Sequence, residues 1–226
     1  MGEMVEFPSN GSNAQGYLAT PEGGGGIPVV VIQEWWGLVP HIQDVCDRFA
    51  AEGFVALAPD LFRGRTASEP DEAGKLMMAL NVDQAAKDMS GAIDKVAEVS
   101  GREAVGVTGF CMGGGLALVA AAHRPDTVKA AVPWYGLIPW PDAEPDWSRL
   151  DAAVLGHYAG NDAFFTPDKV AELQKTLDDL GKEARLHVVP DVDHAFFNDT
   201  RPEVHAPATS AACWRETLDF FREKLG

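Results

Sequence analysis

Residues 27–33 read IPVVVIQ, a continuous β-branched run with no polar face. A strand of that kind has to be buried on both sides, as in a parallel sheet covered by helices. FVALAPD (54–60), EAVGVTGF (103–110), VKAAVPWYG (128–136), AAVLGHYAG (152–160) and ARLHVVP (184–190) supply further strands. Between them lie segments of helical period. PHIQDVCDRFAAEG (40–53) carries Ile42, Val45, Cys46 and Phe49 at helical spacing, with Gly53 at its end. Residues 71–100 read as one or two helices, with Ala85, Met89, Ile93 and Val96 on one face and Gly101 as the stop. MGGGLALVAAAHR (112–124) is a small-residue helix suited to close packing on a sheet. TPDKVAELQKTLDDLG (166–181) places Pro167 in a first turn and Gly181 past the end. The last helix, 207–226, stripes Trp214, Leu218, Phe221 and Leu225 along one side.

Before the first buried run, MVEFPSNGSNAQGYLA predicts an antiparallel hairpin turning near Asn10-Gly11, followed by a loop at Gly23–Gly26. Strands alternating with helices over all 226 residues imply one domain, 1–226, of α/β class: a mostly parallel central sheet with helices on both faces. A hydrophobic fraction of 46% is ample for its core. The net charge of −16 argues against binding nucleic acid or anionic membranes, both of which need a basic surface. Three cysteines without a CxxC spacing suit a reducing, cytoplasmic setting. No secretory signal and no apolar stretch of membrane-spanning length is read, so a soluble chain is expected.

In open parallel sheets, ligands bind beyond the carboxyl ends of the strands. Four reactive side chains fall there: Glu34, Cys111, Asp162 and His194, each after a different strand. Gly109-Phe110-Cys111-Met112-Gly113 fits the G-x-nucleophile-x-G elbow with cysteine in place of serine. The helix that follows would aim its first amides at the thiol and favour the thiolate. By itself the pattern also describes a small buried thiol in a tight turn. His194, in a loop between Asp193 and Phe196, is the candidate base, with His157 its main competitor. Asp162 would orient the imidazole; Asp168, Asp191 and Asp193 are the alternatives. Elbow logic assigns the oxyanion to two backbone amides, those of Met112 and Trp35.

At VVVIQEWWG, GFCMGGG, PWYG, YAGNDAFF and PDVDHAFF the chain resembles the dienelactone hydrolase family of α/β-hydrolases, along essentially its whole length. The resemblance implies a triad of Cys111, Asp162 and His194. It makes Glu34 the resting partner of the thiol, displaced when substrate enters. It further implies hydrolysis of small lactones or carboxylic esters through an acyl-thioester, with no metal or organic cofactor. A broader esterase or thioesterase with the same triad, or a binding protein on an inherited scaffold, are the competing readings. The family's prototype binds a substrate carboxylate with two arginines, one of them four residues after the histidine; here that position is Asn198 and the nearest arginine is Arg201. Arg65 and Lys75 are the remaining candidates for the other. Trp36, Trp134, Tyr135, Phe164 and Phe196, with Asn198 and Arg201, are the candidate substrate contacts. IPWPDAEPDW (138–147) reads either as a lid or pocket wall, or as a surface loop. A monomer or small homo-oligomer is expected.

Overall fold

A computed structural model describes residues 2–226. Eight strands form one sheet in the order β1-β2-β4-β3-β5-β6-β7-β8. β1 (Glu3–Ser9) and β2 (Ser12–Ala19) are the antiparallel hairpin, and β2 also pairs antiparallel with β4 (Phe54–Pro59). β3 (Ile27–Ile32), β5 (Val105–Phe110), β6 (Val128–Trp134), β7 (Ala153–Ala159) and β8 (Ala184–Val189) run parallel with β4. The apolar runs thus lie where both faces are covered.

Alternation along the strands sorts side chains into two cores. Val30, Ile32, Val55, Leu57 and Val107 point to one, with α2 (Pro70–Met78), α3 (Val82–Ser100), α4 (Met112–His123) and the buried Leu177 of α5 (Pro167–Asp179). Val29, Val31, Phe54, Ala56 and Phe110 point to the other, with α1 (Pro40–Ala51) and α6 (Pro207–Leu225). The 71–100 segment resolves into two helices because Asn81 caps the second: its side chain accepts from the Gln84 amide, and Gly101 closes it at φ 69°. Among the described residues no helix is long and apolar enough to cross a membrane.

The strand order creates a crevice. After β3 the chain crosses by α1 to β4 on one side; after β4 it returns by α3 to β5 on the other. The loops leaving β3 and β5 therefore diverge from neighbouring strands, and a crevice opens at their carboxyl ends. Glu34 follows β3 and Cys111 follows β5.

Residues 138–149 pack as two short 3-10 turns, Pro141–Ala143 and Trp147–Arg149. Trp147 is buried and donates its indole N–H to Glu144 at 3.0 Å. Trp140 and Trp147 line a cavity of about 300 Å³ with Leu118 of α4 and Leu173 of α5. A wider groove of about 780 Å³ lies at the far end of α4, against Ser90, His123 and Arg124, away from Cys111.

Candidate active site

Cys111 sits at the helix start with φ 56° and ψ −121°, a conformation that non-glycine residues seldom adopt and that costs of order 1–3 kcal/mol. Its amide donates to the Trp134 carbonyl at 3.0 Å, and its carbonyl accepts from the Gly114 amide at 2.9 Å. The turn is possible because its surroundings lack side chains. A Cβ on Gly113 would lie 2.4 Å from the Ile32 carbonyl oxygen, and one on Gly136 would lie 1.8 Å from that of Cys111. Strain at this one residue turns its side chain out at the end of β5, and Cys111 alone of the three cysteines is not buried. Burial pushes the Cys46 thiol well above its ordinary range and that of Cys213 up to about 11.

His194 lies on the loop after β8. Its Nδ1 is 2.6 Å from Asp162 Oδ2. The other carboxylate oxygen, Oδ1, accepts from the amides of Phe164 (2.8 Å) and Phe165 (3.0 Å), so Asp162 is fixed by its own loop. Asn161 donates to Asp193 at 3.2 Å and ties the two loops together. Burial opposes a charge on the imidazole, but the Asp162 hydrogen bond and the neighbouring Cys111 sulfur outweigh it and push the pKa up to about 10. On Asp162 burial acts the other way; the His194 bond and the two loop amides nonetheless hold the carboxyl below its usual range.

His157, the competing histidine, is fully buried within β7. Its Nε2 lies 3.1 Å from the Thr217 hydroxyl, and burial lowers its pKa to about 3. It faces α6 and not the crevice. Asp191 is exposed on the same turn as Asp193, and Asp168 lies in the first turn of α5.

Glu34 is 1% exposed, and its Oε2 accepts from the Asn198 side-chain amide at 2.9 Å. Asn198 is itself buried, and its oxygen accepts from the amide (3.1 Å) and hydroxyl (2.6 Å) of Thr200. In this structure the Asn198 side chain, a candidate substrate contact, bonds Glu34 and Thr200. Arg201 bonds Glu203 through its Nε at 2.9 Å, and its charge reaches Tyr135. Arg65 and Lys75 are both exposed; the Arg65 carbonyl packs against Gly37, while Lys75 lies on α2.

The aromatic candidates divide. Phe164 is 65% exposed with its ring 5.9 Å from the His194 ring, and Phe165, not anticipated from sequence, is at the same distance. Trp35 and Trp36 are half-buried and meet edge to face at 5.2 Å. Tyr135 has no exposed surface, yet its ring is 5.3 Å from His194. Trp134 and Phe196 are buried, Trp134 against His157 at 4.5 Å and Phe197 at 4.6 Å, and Phe196 against Tyr135 at 5.4 Å. Of the two amides expected to hold an oxyanion, Met112 opens α4, where first-turn amides have no intrahelical acceptor, and Trp35 lies in the turn closed by the Gly37 amide on the Glu34 carbonyl (3.3 Å). Among the described residues no three His, Cys, Asp or Glu side chains gather to hold a metal ion.

His41 is buried at the start of α1; burial lowers its pKa against the opposing charges of Glu34 and Asp199.

This architecture has known relatives. The family model described as "Dienelactone hydrolase family" matches residues 14–225. Over the full length of both chains, the sequence is 39% identical to "Protein usf" of Aquifex pyrophilus and 37% identical to a "Putative carboxymethylenebutenolidase" of Aquifex aeolicus. A solved structure from Klebsiella pneumoniae, titled as a "Putative Dienelactone Hydrolase", superposes with a TM-score of 0.89 at 30% identity, covering 98% of each chain.

Proposed function

The chain belongs to the dienelactone hydrolase family and is a carboxylic ester hydrolase, and from that premise we propose that it cleaves small lactones or esters through a cysteine nucleophile. One observation carries the reading. His194, bonded to Asp162 at 2.6 Å, has its ring beside the Cys111 sulfur on a strained elbow.

Cys111 Sγ attacks the acyl carbonyl, forming the S–C bond, while the amides of Met112 and Trp35 receive the oxyanion. As the tetrahedral species collapses, the C–O bond breaks and the His194 imidazolium returns a proton to the leaving oxygen. Water then attacks the thioester. His194 takes its proton, the C–S bond breaks, and acid and thiol are released. Asp162 keeps the imidazole oriented and offsets its charge throughout. Glu34 serves as the resting partner of the thiol.

A slowly deacylating aryl ester tests the covalent step. Mass spectrometry after a short incubation should find one acyl group, on the peptide containing Cys111. Turnover with acyl label elsewhere, or with none, would overturn it.

Substrate preference follows from the charges. Glu34 is a buried carboxylate near the nucleophile, Asn198 is committed to it, and Arg201 is paired. A second carboxylate on the substrate meets the like charge of the buried Glu34. Matched esters with and without a carboxylate should differ by about tenfold or more in kcat/KM, in favour of the neutral one. Preference for the charged ester would reverse the reading. Thioesters in the same panel separate a lactone and ester hydrolase from a broader acyl hydrolase.

A further inference from the structure

Two buried polar atoms near the nucleophile are left without partners. Glu34 Oε1 and the Tyr135 hydroxyl are both buried and neither has a hydrogen-bond partner. Leaving either so costs about 1–3 kcal/mol, and an unpaired carboxylate oxygen costs more than a hydroxyl. The two are complementary, since an ionised carboxylate only accepts and a phenol donates. Glu34 also lies within range to act on the phenol, both through its charge and as a hydrogen-bond acceptor. Burial raises the phenol far above its ordinary value, and the negative charges of Glu34 and Cys111 raise it further, so the hydroxyl keeps its proton.

The backbone of Tyr135 is itself unusual. Its φ is 36°, a left-handed value for a bulky residue, held by a 2.7 Å bond from its amide to the His157 carbonyl. Gly136 next to it packs onto the Cys111 carbonyl oxygen. This places the Tyr135 ring against both His194 (5.3 Å) and Phe196 (5.4 Å). Such strain persists only where the surroundings enforce it, and it concentrates at functional sites.

We propose that Tyr135 is a positioning residue whose hydroxyl donates to Glu34 Oε1, completing with Asn198 a bracket that aligns the Glu34 carboxylate beside Cys111. Asn198 occupies Oε2 and Tyr135 takes Oε1, so two neutral donors hold a buried carboxylate where a cation would otherwise be needed. The consequence is a Glu34 that can partner the thiol at rest and release it without leaving its place. This role rests on Cys111 being the nucleophile, but the Tyr135–Glu34 contact does not.

The test is a double-mutant cycle with a spectroscopic arm. Tyr135→Phe should lower kcat for a neutral aryl ester by about 10- to 100-fold with KM within about twofold, the effect of losing one hydrogen bond to a charged group. In a Glu34→Gln background the same change should cost less than about threefold. Equal losses in both backgrounds would overturn the proposal. The Raman tyrosine doublet of Glu34→Gln, in which Tyr135 is intact, should shift from a strong-donor pattern toward a weaker one. An unchanged doublet would overturn it even if Tyr135→Phe failed to fold. Failure of the nucleophile assignment is read separately, from the activity of Cys111→Ala, and leaves the Raman arm interpretable.

Discussion

Replacing Cys111 by alanine is expected to lower kcat/KM for an aryl ester by about 10⁴-fold or more, while the protein stays folded. The sulfur is the only protein atom in the proposed mechanism that bonds to carbon, and removing a nucleophile of this kind leaves only oxyanion binding and substrate positioning to act on water. The fold should tolerate the change, because alanine makes the same demand on φ 56° as cysteine and Cys111 is only partly buried. The helix start is held by backbone, through the Trp134 carbonyl and the Gly114 amide. Steady-state hydrolysis beside a thermal melt distinguishes lost chemistry from lost structure. Turnover within a few-fold of the parent would remove Cys111 from the mechanism. Cys111→Ser keeps an oxygen nucleophile on the same elbow and should fall between the two.

Asp162→Asn should cost about 10³- to 10⁴-fold in kcat, for a reason that concerns His194 more than the carboxylate itself. Oδ1 is occupied by two loop amides and Oδ2 by the imidazole. An asparagine has one acceptor oxygen, so it must present its NH₂ either to those amides or to the ring. In the first case the loop loosens; in the second the imidazole turns to the wrong tautomer. The pH dependence should move with it. The pKa of His194 is raised from 6.5 to about 10, so its stabilising contribution is complete below about pH 6.5 and disappears as pH rises through about 10. Removing the Asp162 charge lowers that upper limit. The alkaline limb of kcat/KM, set by loss of the proton that His194 gives the leaving group, should lie near pH 10 in the parent and lower in Asp162→Asn. The melting temperature of the parent should also fall more steeply than the variant's between pH 8 and 10. A limb and a melting profile identical in the two proteins would contradict the pairing.

Where the sequence was sufficient, the determining interactions were local. Pro167 and Gly181 bracket α5, Gly101 ends α3, and the β-branched run becomes a strand buried on both faces. The elbow was also readable, because its strain and its glycines fall within five consecutive residues. Residue type served less well for the aromatic candidates. Trp134 and Tyr135 are adjacent, yet one ring enters the core against His157 while the other lies against His194. The change of direction comes from the positive φ at Tyr135, and nothing short of the packed turn required it.

The amino-acid sequence by itself determined the alternating sheet, the strand-end positions of Glu34, Cys111, Asp162 and His194, and the family likeness. Periodicity, caps and elbow chemistry all act over a few residues, so one dimension is enough to show them. Tertiary structure decided what those side chains meet. Asn198 reaches Glu34 across 164 residues of chain, and it holds that carboxylate although its position first suggested a substrate contact. His194 meets Asp162 across 32 residues, through the register of β7 and β8, and His157 is excluded because its place in β7 turns it toward α6. Contacts of that kind depend on the order of strands in the sheet and on which face each side chain takes. A shift of one residue reverses the face, so only the assembled sheet selects the partners.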